Sequence, residues 1–146
     1  MRTSATTTTL SSSDDPGHGD FILAPSSLND WRSPQNENLW QGVNGINNPC
    51  PSGYRLPTVS EWEAEFATWS SNDAAGAFGS PLKLPVAGSR DYSDGSLNNV
   101  GSSGIYWSSS VDASYSLYLY FSGSNANAGI SSDPRAYGFS VRCLKD

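Results

Sequence analysis

The run "SYSLYLYFSGSNANAG", beginning at Ser114, constrains the fold more than any other part of the chain. Leu117, Leu119 and Phe121 take alternate positions, and Ser116, Tyr118, Tyr120 and Ser122 fill the places between. Period two belongs to a strand, whose successive side chains point to opposite faces. The apolar set is expected to claim the core, which leaves Tyr118 and Tyr120 together on the outer face. Truncating Leu119 should then cost stability. Truncating either tyrosine should cost contacts with a visiting molecule instead.

Around this run the chain reads as a mixed α+β domain. "GIYWSSSV" before it and "YGFSVRCLK" after it are strand-like, and "GSNANAGISSDPRA" supplies turn-forming residues. Everything after Gly104 is therefore expected to form an antiparallel meander. In "LPTVSEWEAEFATWS", Thr58 is a candidate N-cap with Glu61 three residues on, the capping-box pattern. Trp62, Phe66 and Trp69 share one helical face, extended backwards by Val59, and Glu61, Glu63 and Glu65 are left mostly to solvent. From Asn72 to Gly104 the sequence is loop-rich, with a turn candidate in "DYSDGS"; a long loop region of this kind is usually functional. "FILAP" from Phe21 is the first plausible strand. Residues 1–18 are rich in Ser, Thr and Asp with little to bury, so they are expected to be a flexible linker or tail ahead of one domain over 19–146.

The charge balance narrows the partners. Eight Lys and Arg against fourteen Asp and Glu give a net charge of -6, so attraction to nucleic-acid phosphates is not expected. No apolar run approaches the roughly 20 residues needed to cross a bilayer, and no secretory h-region is visible. A scarcity of Lys and Arg beside abundant Ser, Thr, Asn and Gly favours a domain of a longer exported chain over a cytosolic protein. Cys50 and Cys143 are the two cysteines. Either they pair across 93 positions or they are two buried thiols in a reducing compartment. With His18 the lone histidine, a zinc site is not expected.

Catalytic signals are weak. Proton exchange near neutral pH would have to recruit His18, which lies in "DPGHGD" beside the tail. No G-x-S-x-G elbow, P-loop or dinucleotide fingerprint occurs. Three glutamates at alternate positions of one helix point apart and cannot share a substrate. The chain is therefore not expected to be an enzyme. By contrast, the polar positions between Ser108 and Ser140 are dominated by Ser, Tyr, Asn and Gly, with Asp112, Asp133 and Arg135 added. Tyrosine offers broad amphipathic contact with few rotors, and serine and asparagine offer adaptable donors and acceptors. A tyrosine ring can lie on the C–H face of a sugar while polar neighbours bind its hydroxyls. Tyrosine is also simply at home in strands, where it pairs across them.

In order, "NPCPSGYRLPTVSEWEAE", "LKLPVAGSRDYSDGSLNNVG", "GIYWSSS" and "RAYGFSVRCLKD" resemble the bacterial surface-domain family called the Fibrobacter succinogenes major paralogous domain. The resemblance runs from about Trp40 to the C-terminus. It implies a C-type-lectin-like fold of small antiparallel sheets with one or two helices and a long irregular loop region, closed by a Cys50–Cys143 disulfide. Trp107 would belong to the core. The display surface would include Asp112, Tyr118, Tyr120, Ser122, Asn125, Asn127, Asp133, Arg135 and Tyr137. The function implied is a ligand-binding module of an exported adhesin, at the cell surface or outside it, recognising a glycan or glycoprotein on a target cell. The alternative is a protein- or peptide-binding tip using the same face. A hydrolase or transferase like the formylglycine-generating enzymes would need cysteine chemistry, and ice binding would need a regular Thr array.

Calcium-dependent sugar binding in this fold uses Glu-Pro-Asn or Gln-Pro-Asp in the long loop and Trp-Asn-Asp on a strand, and this chain has none of these. The nearest substitutes for a Ca2+ site are Asp91, Asp94, Asp112 and Asp133. Calcium takes six to eight oxygens, which such loops can supply without a signature. The same aspartates can equally serve as turn caps.

Overall fold

A three-stranded antiparallel sheet organises the molecule. The computed structural model describes residues 4–26, 28–123 and 128–146. The elements run β1 (Thr6–Thr7), β2 (Phe21–Ile22), β3 (Tyr54–Arg55), α1 (Val59–Phe66), α2 (Ala74–Gly79), β4 (Ser89–Arg90), β5 (Leu97–Asn98), β6 (Ser103–Asp112), β7 (Tyr115–Ser122), β8 (Gly129–Pro134) and β9 (Leu144–Lys145). Strands β6, β7 and β8 form the main sheet in that order; β1 pairs with β2, β3 with β9, and β4 with β5. The result is a small mixed α+β domain, built mostly from small antiparallel sheets.

Helix α1 begins as its sequence dictates. Thr58 Oγ1 accepts from the Glu61 backbone N–H at 3.3 Å, and the Thr58 N–H donates to Glu61 Oε2 at 2.8 Å. Both partners satisfy N–H groups that a helix start leaves open. Glu61 is more than a solvated residue of the outer face. Arg55 Nη1 and Nη2 each donate to one of its oxygens at 2.8 Å, and Arg55 Nε donates to Asp146 Oδ1 at 2.8 Å. Arg55 thus ties the helix start to the C-terminus, and its hydrogen bonds hold the Glu61 carboxyl down at about 2.

The helix side of the sheet is the first core. Trp62 packs with Ala77, Leu84, Tyr106, Leu119 and Phe121, and Phe66 and Trp69 lie at its edge. Leu119 and Phe121 are fully buried, as their alternation requires. Burying such a side chain contributes about 1.5–3 kcal/mol. Trp69 meets Phe121 edge-on at 5.4 Å, and Tyr106 stacks on Phe121 at 6.0 Å. Gly104 faces Phe121 directly across the ladder. A Cβ at Gly104 would fall 2.1 Å from Phe121 Cζ, so the ring occupies the space a side chain would take. Gly104→Ala is expected to cost about 1–3 kcal/mol or more by overpacking. Chemical denaturation checks it, and a variant with unchanged midpoint would refute this reading of the contact.

The other side of the sheet is a second core, and here the expected faces need correction. Leu56, Ile105, Trp107 and Tyr118 are buried together, with Trp40, Cys50, Tyr120, Tyr137 and Phe139 packed against them. In the register, Trp107 lies opposite Tyr118 and Ile105 opposite Tyr120, so the expected core residue Trp107 and the expected outer residue Tyr118 share one face. The C-terminal segment lies over that face. Phe139 sits 4.2 Å from Trp107 and 4.9 Å from Tyr118, centroid to centroid. The Cys50–Cys143 disulfide, 93 positions apart in sequence, holds the segment there. Tyr118 is only 9% exposed. Alternation separates two faces but does not say that one of them meets water.

Three further expectations differ from the structure. The third strand of the main sheet is β8, inside the stretch read as turns, whereas "YGFSVRCLK" makes single bridges to Arg90 and Tyr106 and the short β9. Small residues with little side-chain signal form β8 because β7 offers them a complete backbone ladder. Helix α2 and the β4–β5 pair lie in the segment read as loop, too short for periodicity to register. From Ser4 onward, the expected tail is part of the fold. Strand β1 runs parallel to β2, Arg90 donates to Ser4 Oγ and O at 2.9 Å each, and Ser11 and Arg32 form a bridge. Backbone hydrogen bonds and the side chains of Arg32 and Arg90 hold this segment, and its composition reports neither.

Candidate functional site

Three parts of the chain converge beside the main sheet and enclose an open cleft of about 350 Å³. Ile105, Tyr118, Tyr120 and Asp133 form its floor, Asp91, Asn98 and Asn99 one wall, and Tyr137 and Phe139 the other. The floor follows from register. Tyr118 lies opposite Ser131, and Ser116 opposite Asp133, so Tyr118, Tyr120 and Asp133 project from the same face.

The first wall is the β4–β5 hairpin. Asp91 Oδ1 accepts from the Ser93 backbone N–H at 2.8 Å and from Ser93 Oγ at 2.6 Å, and Asp94 Oδ1 accepts from the Ser96 N–H at 2.8 Å. These are self-capped turns, the local bonding that makes aspartate favourable there. The Ser96 backbone N–H holds the Asp94 carboxyl below the usual carboxylate range. The hairpin is fixed to the opposite wall by the Arg90–Gly138 backbone pair, at 2.8 and 3.0 Å. Tyr137 is clamped at that junction: Tyr92 meets it edge-on at 4.8 Å, and Phe139 stacks on it at 5.1 Å.

The electrostatics of the cleft follow its depth. Burial lifts the Asp133 carboxyl above the usual carboxylate range, while its interaction with the Tyr118 phenol works the other way. Burial pushes the Tyr118 phenol up to about 12. Tyr137 is also raised, by burial first and then by the negative charges of Asp133 and Asp91. The cleft therefore brings together the carboxyl groups of Asp91 and Asp133, the amides of Asn98 and Asn99, and the phenols of Tyr118, Tyr120 and Tyr137. That set matches a polyhydroxylated ligand with one apolar face.

Of the residues expected to contact ligand, Tyr118, Tyr120, Asp133 and Tyr137 line the cleft together. Tyr118 does so as a largely covered floor, so it is corrected from exposed contact to scaffold. Ser122 is 4% exposed and Arg135 7% exposed, so neither belongs to an exposed face. Arg135 turns away from the cleft; its Nη2 donates to the Ala113 carbonyl at 2.9 Å. Asp112 is exposed at the far end of β6, opposite Tyr115. Asn125 and Asn127 lie outside the described residues. The sequence reading missed Asn98, Asn99 and Phe139; the hairpin around "DYSDGS" could have signalled the asparagines.

The four carboxylates considered for calcium are not brought together. Asp91 and Asp133 line the cleft, Asp94 caps a turn outside it, and Asp112 is at the other end of the sheet. Among the described residues no group of three or more His, Cys, Asp or Glu could hold a metal ion.

Compared with known proteins, the chain matches no family model, no curated protein and no solved structure.

Proposed function

We propose that the chain is a carbohydrate-binding module of C-type-lectin-like fold, a domain of an exported bacterial adhesin that recognises cell-surface glycans without turning them over. The cleft carries this reading. Asp91, Asp133 and Asn98 supply hydrogen-bond partners for hydroxyls around the half-buried rings of Tyr120 and Tyr137. Sequence motifs support the fold assignment, as does the Cys50–Cys143 bridge that the resemblance implies. The disulfide is compatible with an oxidising location, and no helix among the described residues is long and apolar enough to cross a membrane.

The test is a glycan array run with and without a calcium chelator, followed by titration of any hit across pH. Specific hits competed by free monosaccharide are expected, and chelation is expected to leave them intact. Affinity is expected to fall on acidification. Asp133 accepts hydroxyl hydrogens as a carboxylate, and burial makes it protonate at a higher pH than a free aspartate does. The loss should therefore begin above the ordinary aspartate range and vanish from the profile of Asp133→Asn. Silence across the array, with specific capture of a peptide or protein, would replace the glycan reading with the protein-binding one.

A further inference from the structure

The ion pairs among the described residues leave the cleft out. Arg32 pairs with Asp14, Arg55 with Glu61 and Asp146, and Arg135 faces Asp30, so Asp91 and Asp133 take part in none. The two arginines nearest them in sequence are turned elsewhere. Arg90 directs its guanidinium to the Gly95 carbonyl, to Ser4 and to the ring of Phe21, and Arg135 donates to the Ala113 carbonyl. Among the described residues no Lys, Arg or His lines the cleft. Two half-buried carboxyl groups therefore share one concave site without a positive charge from the chain itself.

Both carboxyl groups have room for a ligand. Asp91 gives Oδ1 to Ser93, while its Oδ2 receives a long contact from Asn98 Nδ2 at 3.5 Å and keeps acceptor capacity. The charges of Asp91 and Asp133 both reach the Tyr137 phenol, and the half-buried rings of Tyr120 and Tyr137 line the cleft with them. A carboxylate drawn out of water without a counter-ion is costly. A cation settling beside it offsets that cost through charge-assisted hydrogen bonds. The same cation is attracted by aromatic faces within about 6 Å. A hydroxyl meets only the hydrogen-bonding part of this demand, an acetamide brings no charge, and a uronate is repelled. The volume of about 350 Å³ suits a whole ring rather than an ammonium group alone.

We infer that this cleft selects an amino sugar with a free, charged amine, held by the carboxyl groups of Asp91 and Asp133 against the rings of Tyr120 and Tyr137. The inference rests on the carbohydrate reading of the cleft and narrows it from glycans in general to cationic ones.

The experiment titrates methyl glycosides that differ only at C2 against the intact chain, by calorimetry and ligand-observed NMR at about pH 6.5, where an amine is charged. Glucosamine, N-acetylglucosamine and glucose form one matched set, and galactosamine, N-acetylgalactosamine and galactose the other. In the set that binds, the amine is expected to be tighter than both the acetamide and the hydroxyl by about tenfold or more. The ratio of amine to hydroxyl affinity should fall towards one in Asp133→Asn and in Asp91→Asn. Each change keeps the shape of the side chain, and should Asp91→Asn loosen its turn, Asp133→Asn alone carries the test. Equal or weaker binding of the amines would overturn the cationic assignment while leaving the carbohydrate reading intact, as would a preference for glucuronate. A ratio unchanged in both variants would overturn the role of the two carboxyl groups. Binding of lysine or trimethyllysine peptides and of no sugar would overturn the carbohydrate reading together with this inference, as would absence of binding by every compound.

Discussion

Replacing Cys50 and Cys143 together by serine is expected to lower unfolding stability by about 4–5 kcal/mol. The bridge spans 93 positions, and closing so long a loop removes much of the freedom of the unfolded chain. In a domain of this size the melting temperature should drop by roughly 10–20 °C, and reductant should reproduce the drop in the native protein. Stability is only half of the effect. Between Cys143 and the sheet run Tyr137 and Phe139, which cover Trp107 and Tyr118 and form one wall of the cleft. Beyond the bridge, the two-residue β3–β9 pairing and the Asp146–Arg55 contact hold the chain end. These contacts are short and partly exposed, and they contribute little by themselves. Reduction should therefore loosen the cleft wall before the helix-side core melts, so glycan binding is lost at temperatures where far-ultraviolet circular dichroism is still native. A melt and a binding curve both indifferent to reductant would show that the segment is held by its ring contacts alone.

How much of this was legible in the sequence depended on what kind of signal each element carries. Thr58 and Glu61 announce a helix start because the cap is a local bond between residues three apart, and the structure has it. Phe121 and Leu119 announce a buried face because alternation is also local, and both are buried. Strand β8 could not be read, since Gly129–Pro134 has Ile130 as its one large apolar residue among small or polar ones and owes its conformation to the β7 ladder. The N-terminal segment escaped for a related reason: backbone bonds tie it to Phe21 and Trp31, and the distant Arg90 guanidinium and Arg32–Asp14 ion pair hold it from outside, none of which its own composition reports. The candidate site was half legible. Tyr120, Asp133 and Tyr137 were singled out by composition and do meet in one cleft. Which of them faces solvent was not legible, because the cover over that face comes from residues twenty positions further on, brought back by a disulfide.

Tyr118 and Tyr120, adjacent in the face but unlike in burial, should separate stability from binding. Tyr118→Ala is expected to destabilise the protein by about 3–5 kcal/mol, the cost of removing a buried aromatic ring. Its ring is enclosed by Trp107 at 5.9 Å and Phe139 at 4.9 Å, so the truncation leaves a cavity between two layers. Tyr120→Ala, at the half-buried edge of the same cluster, should cost less stability and most of the glycan affinity. Denaturation midpoints and binding constants measured on both variants check the contrast; equal destabilisation would mean that the cleft floor is uniformly packed. Tyr118→Phe isolates the hydroxyl. The ring stays, so stability should fall by about 1 kcal/mol. The phenol is what offsets part of the burial effect on Asp133. Without it burial acts alone, the Asp133 pKa rises further, and the acid-side loss of binding should begin at a higher pH than in the native protein. A pH profile that does not move would mean that the Tyr118 hydroxyl has no hold on Asp133, and would leave Tyr118 a purely structural ring.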